Sequence, residues 1–518
     1  MKTIAPSCRR GSHGVSSTRC FAMGEAPAYQ ALKARRMRIY HLEHLQTLAT
    51  WDRLTYMPRA AAEARGAAQA ELAAVLQSLQ AAPELDGLFT DAANEPLAPS
   101  DRENFKLMER DRRLAAAVPD SLVALRAEAT AAAAQAWSEA RAANDWAQFA
   151  PALDALLAIV REVADRIGDA LGVGRYDALL DGFDPGLRSA TVERWFREIG
   201  EWLPGTIRAI MARQSGREPQ ALQAPFDLER QRQACVAAME LLGFDFAKGR
   251  LDISAHPFTA GTPEDVRVTT RFAADDCLQS LLAVIHETGH ARYQAGLPQA
   301  WRGQPLGEPC SASMHEAQAL IFERQLARRP AFVRALSSIL DKALGSQRAF
   351  LPDNLQRLLT RVAPGRIRVE ADEVTYAAHV ILRTRIEAAL IAGDIGADDV
   401  PLLWSKEMQS LLGVDTERDA LTGPLQDIHW SQGMFGYFPA YLIGAMIAAQ
   451  LFARFAETSP ALDEDGPKGF RKLGSWLDEN VWSRGAALNT EELVKEISGK
   501  PLSPAALRAH IEQRYGCA

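Results

Sequence analysis

The sequence predicts a mainly α-helical protein with one short β element, on three observations. Apolar residues recur at helical spacing through most of the 518-residue chain, alanine is abundant in the same stretches, and period-two alternation is confined to 251–272. With 47% hydrophobic and 24% charged residues, the chain can bury a large core. A net charge of -7 and the absence of a basic stripe argue against a nucleic-acid partner. The six cysteines, at 8, 20, 235, 277, 310 and 517, form neither a metal-ligand pair nor a disulfide framework, and fit a reducing compartment.

Taken in order, Met1–Met23 lacks acidic residues and carries Lys2, Arg9, Arg10 and Arg19 among serines. A transit peptide, a start assigned too early with Met23 as the true one, and a disordered leader all have that composition. We take 1–24 as a leader of the disordered or mis-assigned kind and 25–518 as one domain. Leu32, Met37, Leu45 and Leu48 set the periodicity of a first helix over Tyr29–Asp52, and Pro58 breaks it. A second helix runs to about Leu79. After a loop at Pro96–Ser100, alanine-rich helices from about Glu103 to Val173 suggest close helix packing. Pro219–Pro225 reads as an exposed connection. Leu251–Phe258 and Val266–Phe272 then read as two strands around a turn at Gly261–Pro263, a hairpin whose edge can either pair with an extended peptide or only brace the core.

The stretch Leu281–His290 is an apolar helix with chemistry on one face. His286 and His290, four apart, stack one above the other and can share a metal ion, with Glu287 beside it as general base for a metal-activated water. Two incidental histidines on a buried helix are the bland alternative. Asp275 and Asp276 mark its start, Gly296 and Pro298 its end. A catalytic zinc site needs a third protein ligand. Of Glu308, Glu316 and Glu323, the first precedes Pro309 in a turn and the last, among Arg324 and Arg328, reads as a solvated charge. Glu316, in a run of small and apolar residues, is the best ligand, unless it is salt-bridged inside a helical core.

Asp372 is an N-cap candidate, which sets Arg368 just ahead of a helix N-terminus where an anion is favoured. The glycine-rich stretch 423–437 reads as a loop approaching a ligand closely, and His429, Tyr437 and Tyr441 are candidate donors to an oxyanion. Pro439–Ala449, interrupted by Gly444, is too short to span a bilayer and reads as a buried helix, so no membrane partner is expected.

These motifs, in this order, resemble the carboxypeptidase Taq family of zinc metallocarboxypeptidases across nearly all of Ala26–Cys517. The resemblance is carried by His256-Pro257-Phe258, Asp265 to Thr269, His286 to His290, His315-Glu316, Ile367 to Asp372 and Gly423 to Trp430. Trp51-Asp52 with Met57-Pro58 also fits. It implies a large helical saddle-like fold with a deep central cleft, the small sheet beside the zinc helix, of the neurolysin and angiotensin-converting-enzyme architecture. It implies a homodimer that releases single residues from peptide C-termini, using zinc, with cobalt as a possible substitute; the reducing compartment is taken as the cytoplasm. His286, His290 and Glu316 become metal ligands, Glu287 the base, and His429 with Tyr437 or Tyr441 transition-state donors. Arg368 becomes the grip on the substrate carboxylate, with His256, Arg267, Gln426 and Asp427 as further substrate-binding residues. Ala317 stands where the family has serine, and Ala377 where it tends to have proline. Two rivals stand: an endo-acting zinc oligopeptidase of this fold, and a non-catalytic helical scaffold that retains the metal site.

Overall fold

The computed structural model describes residues 26–516 apart from Arg418, so the expected leader over 1–24 lies outside the described residues. The protein is mainly α-helical with one three-stranded sheet. Long helices over Pro27–Thr55, Ala62–Gln80, Pro99–Ala117, Asp120–Ala143 and Trp146–Leu171 follow the sequence pattern closely. The alanines of Asp120–Ala143 serve two ends. Ala133 and Ala140 are fully buried against the next helix, while most of the others face solvent, where high helix propensity is their contribution. Residues 217–227 form the expected open connection.

The sheet differs from the expected hairpin. β1 (Gly249–Ile253), β2 (Phe258–Thr262) and β3 (Asp265–Thr270) lie in the order β1-β3-β2, with β1 parallel and β2 antiparallel to β3. The stretch read as one strand over 251–258 breaks at 254–257, where Pro257 cannot donate to a ladder. The hairpin is therefore β2–β3, closed at the Thr262–Asp265 pair, and β2 forms one edge of the sheet.

Four helical segments build the interior beside this sheet. The first, Cys277–Gly296, carries His286 and His290, and begins as predicted with Asp276 accepting from the backbone N–H groups of Leu278 and Gln279. The second, Ala312–Leu320, continues into a π-helical turn over Ile321–Leu326. Tyr376–Ala392 and Phe438–Thr458 complete the set.

Phe438–Thr458 corrects the expectation of a short buried helix. It runs for 21 residues and, among the described residues, is the one helix long and apolar enough to cross a membrane, yet 83% of its apolar stretch is buried inside the protein. Pro439 sits in its first turn, where the missing N–H costs nothing. Gly444 does not break it but lets it approach Ala312–Leu320: a Cβ there would lie 2.7 Å from Glu316 Cγ. Gly289 plays the same part on the other side, since its Cβ would meet Ala319 Cα at 2.5 Å. Two glycines thus let the helix bearing Glu316 sink between its neighbours.

Candidate metal centre

His286, His290 and Glu316 converge. Their ligand atoms all lie within 4.8 Å of one another, with Glu316 Oε2 4.0 Å from His286 Nε2 and 3.8 Å from His290 Nε2. Three donors about 2.1 Å from a tetrahedral ion stand about 3.4 Å apart, so the two Glu316 distances lie about half an ångström beyond that spacing and the three groups must draw together to share an ion. Two imidazoles and one carboxylate are also the right donor types for a catalytic divalent ion. The His286 side chain keeps 23% of its surface exposed, which leaves the centre reachable.

The other nitrogen of His286 identifies a residue that sequence reasoning misplaced. Nδ1 lies 3.0 Å from Glu323 Oε2, so Glu323 is the largely covered partner of a candidate ligand rather than a solvated charge. Arg328 donates to Glu323 Oε1 at 3.1 Å, and Arg324 lies beside it. Burial opposes ionisation of Glu323, but Arg324, the His286 hydrogen bond and Arg328 outweigh it and hold the carboxyl well below its ordinary range. Burial likewise pulls His286 down, yet Glu323, Glu316 and Glu287 together push it up to about 9 in the metal-free protein. A carboxylate on the far nitrogen orients a ligating imidazole and raises its basicity. Two helical turns separate Glu316 from Glu323, which was the available sequence signal.

Glu287 is 7% exposed. Thr259 Oγ1, on β2, lies 2.7 Å from its Oε2 and 3.0 Å from its carbonyl oxygen, both acceptors for the one hydroxyl proton. Burial raises the Glu287 carboxyl, with His286 and Thr259 opposing; burial raises Glu316 as well. A buried carboxyl of raised pKa is suited to taking and returning a proton near neutrality. His290 stacks on His315, ring centroids 4.4 Å apart, and burial pulls both imidazoles down, His315 to about 4.

On the other side of Glu316 stands a charged and aromatic wall. Arg368, on a single 3-10 turn over Arg368–Glu370, donates through Nε (3.0 Å) and Nη2 (2.8 Å) to Asp427 Oδ1 and through Nη1 to the Tyr376 hydroxyl (3.1 Å). Arg383, fully buried, donates to the other oxygen of Asp427 at 2.6 Å. Of Arg368's five N–H groups these bonds use three, and two stay available to an anion. Arg368 is close enough to Glu316 to favour its ionised form. The helix expected just after Arg368 begins only at Tyr376; Asp372 instead caps the preceding turn through Val374 and Thr375 N–H. Gln426 accepts from the Arg368 backbone N–H at 2.8 Å and donates to the carbonyls of Thr422, Gly423 and Arg366, so it splices two loops together.

His429 Nε2 lies 3.1 Å from the Tyr441 hydroxyl, and burial together with Arg368 lowers the imidazole to about 3, hence neutral. Tyr437 packs 5.2 Å from Tyr441, and the Tyr441 ring lies 4.8 Å from the Arg368 guanidinium. Burial raises both phenols, and Glu316 adds to each, which ties them to the metal centre. Gly436 in this loop serves packing: it sits against the Leu179 backbone and donates to Glu387. Two of the sequence candidates lie apart. His256 is exposed in the β1–β2 turn. Arg267 sits on the sheet face opposite Val268 and Thr259, forked onto Asp265 and 4.6 Å from the Trp51 ring, where it braces the first helix. Tyr376 and Arg383 were not singled out from sequence as site residues; a helix interior gives a lone Tyr or Arg no local mark.

Fold and centre together give a mainly helical protein with a two-histidine, one-glutamate group that could hold a metal ion. The sequence profile described as "Carboxypeptidase Taq (M32) metallopeptidase" matches residues 31–515, and the chain belongs to that family of peptide hydrolases, which implies a divalent metal. It is 32% identical to thermostable carboxypeptidase 1 of Thermus thermophilus over 94% of this chain and 98% of that one. It is 31% identical to thermostable carboxypeptidase 1 of Pyrococcus furiosus over 93% and 97%. The solved structure of Trypanosoma cruzi metallocarboxypeptidase 1 superposes with a TM-score of 0.92 at 37% identity, covering 95% of this chain and all of the other.

Proposed function

We propose that this chain is a zinc-dependent carboxypeptidase that releases single residues from peptide C-termini, with Glu287 as general base. The convergence of His286, His290 and Glu316 beside the buried Glu287 carries the reading. Bound zinc, or cobalt in its place, supplies polarisation of the scissile carbonyl and a lowered pKa for water. Glu287 takes the proton of the attacking water and returns it to the leaving amine, held in aim by Thr259. Tyr441, its hydroxyl oriented by His429, donates to the developing oxyanion, with Tyr437 alongside. Arg368 offers its two remaining N–H groups to the substrate's terminal carboxylate, its plane fixed by Asp427 and Tyr376. The edge strand β2 supports an extended substrate, since its free side runs past Thr259 and Glu287. The proposal includes a reducing, cytoplasmic setting, in keeping with buried free thiols at Cys235, Cys277 and Cys310, and a homodimer, which the family resemblance implies.

The test is one peptide offered as free acid and as C-terminal amide, with and without chelator, and the products weighed by mass spectrometry. The proposal expects stepwise loss of single C-terminal residues from the free acid, little reaction with the amide, and none with chelator. Internal cleavage at equal rates on both forms would instead make the chain an oligopeptidase.

A further inference from the structure

The helix over Ala505–Tyr515 is nearly two hundred residues from Glu323 in sequence, yet buried contacts run without a gap between them. Arg514 donates to the backbone carbonyls of Arg324 and, at 3.0 Å, Gln325. Both lie on the π-helical turn Ile321–Leu326. A π-turn is rare and occurs mostly as a single turn within a helix, frequently at functional sites, and here outside groups bond its carbonyls. Arg514 is itself fixed by Glu373, whose Oε2 it meets at 2.9 Å. His510 Nε2 lies 2.8 Å from the other Glu373 oxygen, and Tyr515 donates its hydroxyl to Oε2 at 3.1 Å. Glu373 is buried, and Arg514 with His510 holds its carboxyl well below the ordinary range against the cost of burial. Arg328, just past the same turn in sequence, donates to the carbonyl of Glu323 at 2.7 Å and to its carboxylate. The turn that presents Glu323 to His286 is thus held by two guanidiniums, and one of them belongs to the C-terminal helix.

We infer that the Ala505–Tyr515 helix is a clamp on metal affinity: Arg514, anchored by Glu373, keeps the π-turn in the shape that holds Glu323 against His286. The inference rests on the proposed metal centre and adds a positioning role for residues that touch neither metal nor substrate. A loosened π-turn lets Glu323 withdraw, and His286 then loses both its orientation and the charge that makes it a strong donor.

The experiment is a zinc titration of the full-length, chelator-stripped protein against a competing chromogenic chelator, with thermal unfolding of the metal-free protein in parallel. Arg514→Ala and Glu373→Gln should each weaken zinc binding about tenfold or more, the usual effect of losing an outer-shell partner. Arg514→Lys should recover part of that loss. Arg508→Ala, on the same helix but exposed and paired with Glu512, should bind as wild type. An Arg514→Ala protein that melts earlier but binds zinc with wild-type affinity overturns the inference, because that is the signature of a purely structural contact. Should Arg514→Ala not fold, Glu373→Gln decides on the same criterion. A wild-type protein that takes up no zinc overturns the metal centre and the clamp together.

Discussion

Replacing Gly444 by alanine puts a single methyl group against Glu316, the proposed metal-binding glutamate. The new Cβ would stand 2.7 Å from Cγ and 2.9 Å from Cβ of Glu316, and 3.2 Å from the backbone nitrogen of Ala317. Carbon atoms in contact settle at about 3.5–4.0 Å, so the two helices must part by roughly 1 Å. Neither yields cheaply, because the opposing atoms are close to backbone and Phe438–Thr458 is buried along most of its length. Overpacking of this kind costs about 1–3 kcal/mol in stability. Glu316 moves with its helix, and a misplacement of about 1 Å at a reacting centre costs on the order of 100-fold in rate. The assay is kcat on a free-acid peptide at saturating zinc, with zinc affinity and thermal unfolding beside it. Gly66→Ala, exposed inside the Ala62–Gln80 helix with nothing within 4 Å of its new Cβ, is the control and should match wild type in turnover and zinc affinity while melting no earlier. Gly444→Ala with wild-type zinc affinity and turnover would refute the argument that this glycine seats Glu316.

Glu287→Gln should bind zinc as wild type and lose about 10²–10⁴-fold in kcat, read by metal titration and steady-state kinetics. Near-normal turnover would remove Glu287 from the proton-transfer role. Arg368→Ala should collapse activity on free-acid peptides while leaving the residual rate on amides unchanged; equal losses on both would take Arg368 off the carboxylate. Burial raises the Glu387 carboxyl from 4.5 to about 7, against hydrogen bonds from Tyr176, Trp430 and the Gly436 N–H. The folded state then holds this proton where the unfolded chain releases it, so its contribution to stability falls as pH rises from about 4.5 to about 7 and is level beyond. Denaturant unfolding of wild type and Glu387→Gln across that range should show the wild-type advantage shrinking with pH; a constant difference contradicts the shift.

What could be read from sequence was what is local. The His286 helix and both its ends follow from apolar spacing, an Asp cap and a Gly-Pro stop, and two histidines four apart have only one face to share. Glu316 was legible because an acid in an apolar run demands a reason. Glu323 was not, because two neighbouring arginines read as company for a solvated charge, whereas the fold buries both arginines and leaves the Glu323 side chain only 14% exposed against His286. The same limit hid Arg383: its partner Asp427 lies 44 residues away, and only tertiary packing makes one carboxylate serve two guanidiniums. The sheet was misread as a simple hairpin because alternation marks strands but does not say which pair. Gly444, taken from sequence as an interruption, is instead a point of close approach.

The most direct measurement of the central claim is peptidase activity of the chelator-stripped protein as zinc is returned to it. The account predicts no hydrolysis at zero metal, activity rising in step with bound zinc, and saturation at a single ion per chain, with none of this in Glu316→Ala. Undiminished C-terminal trimming by fully metal-free protein would contradict it.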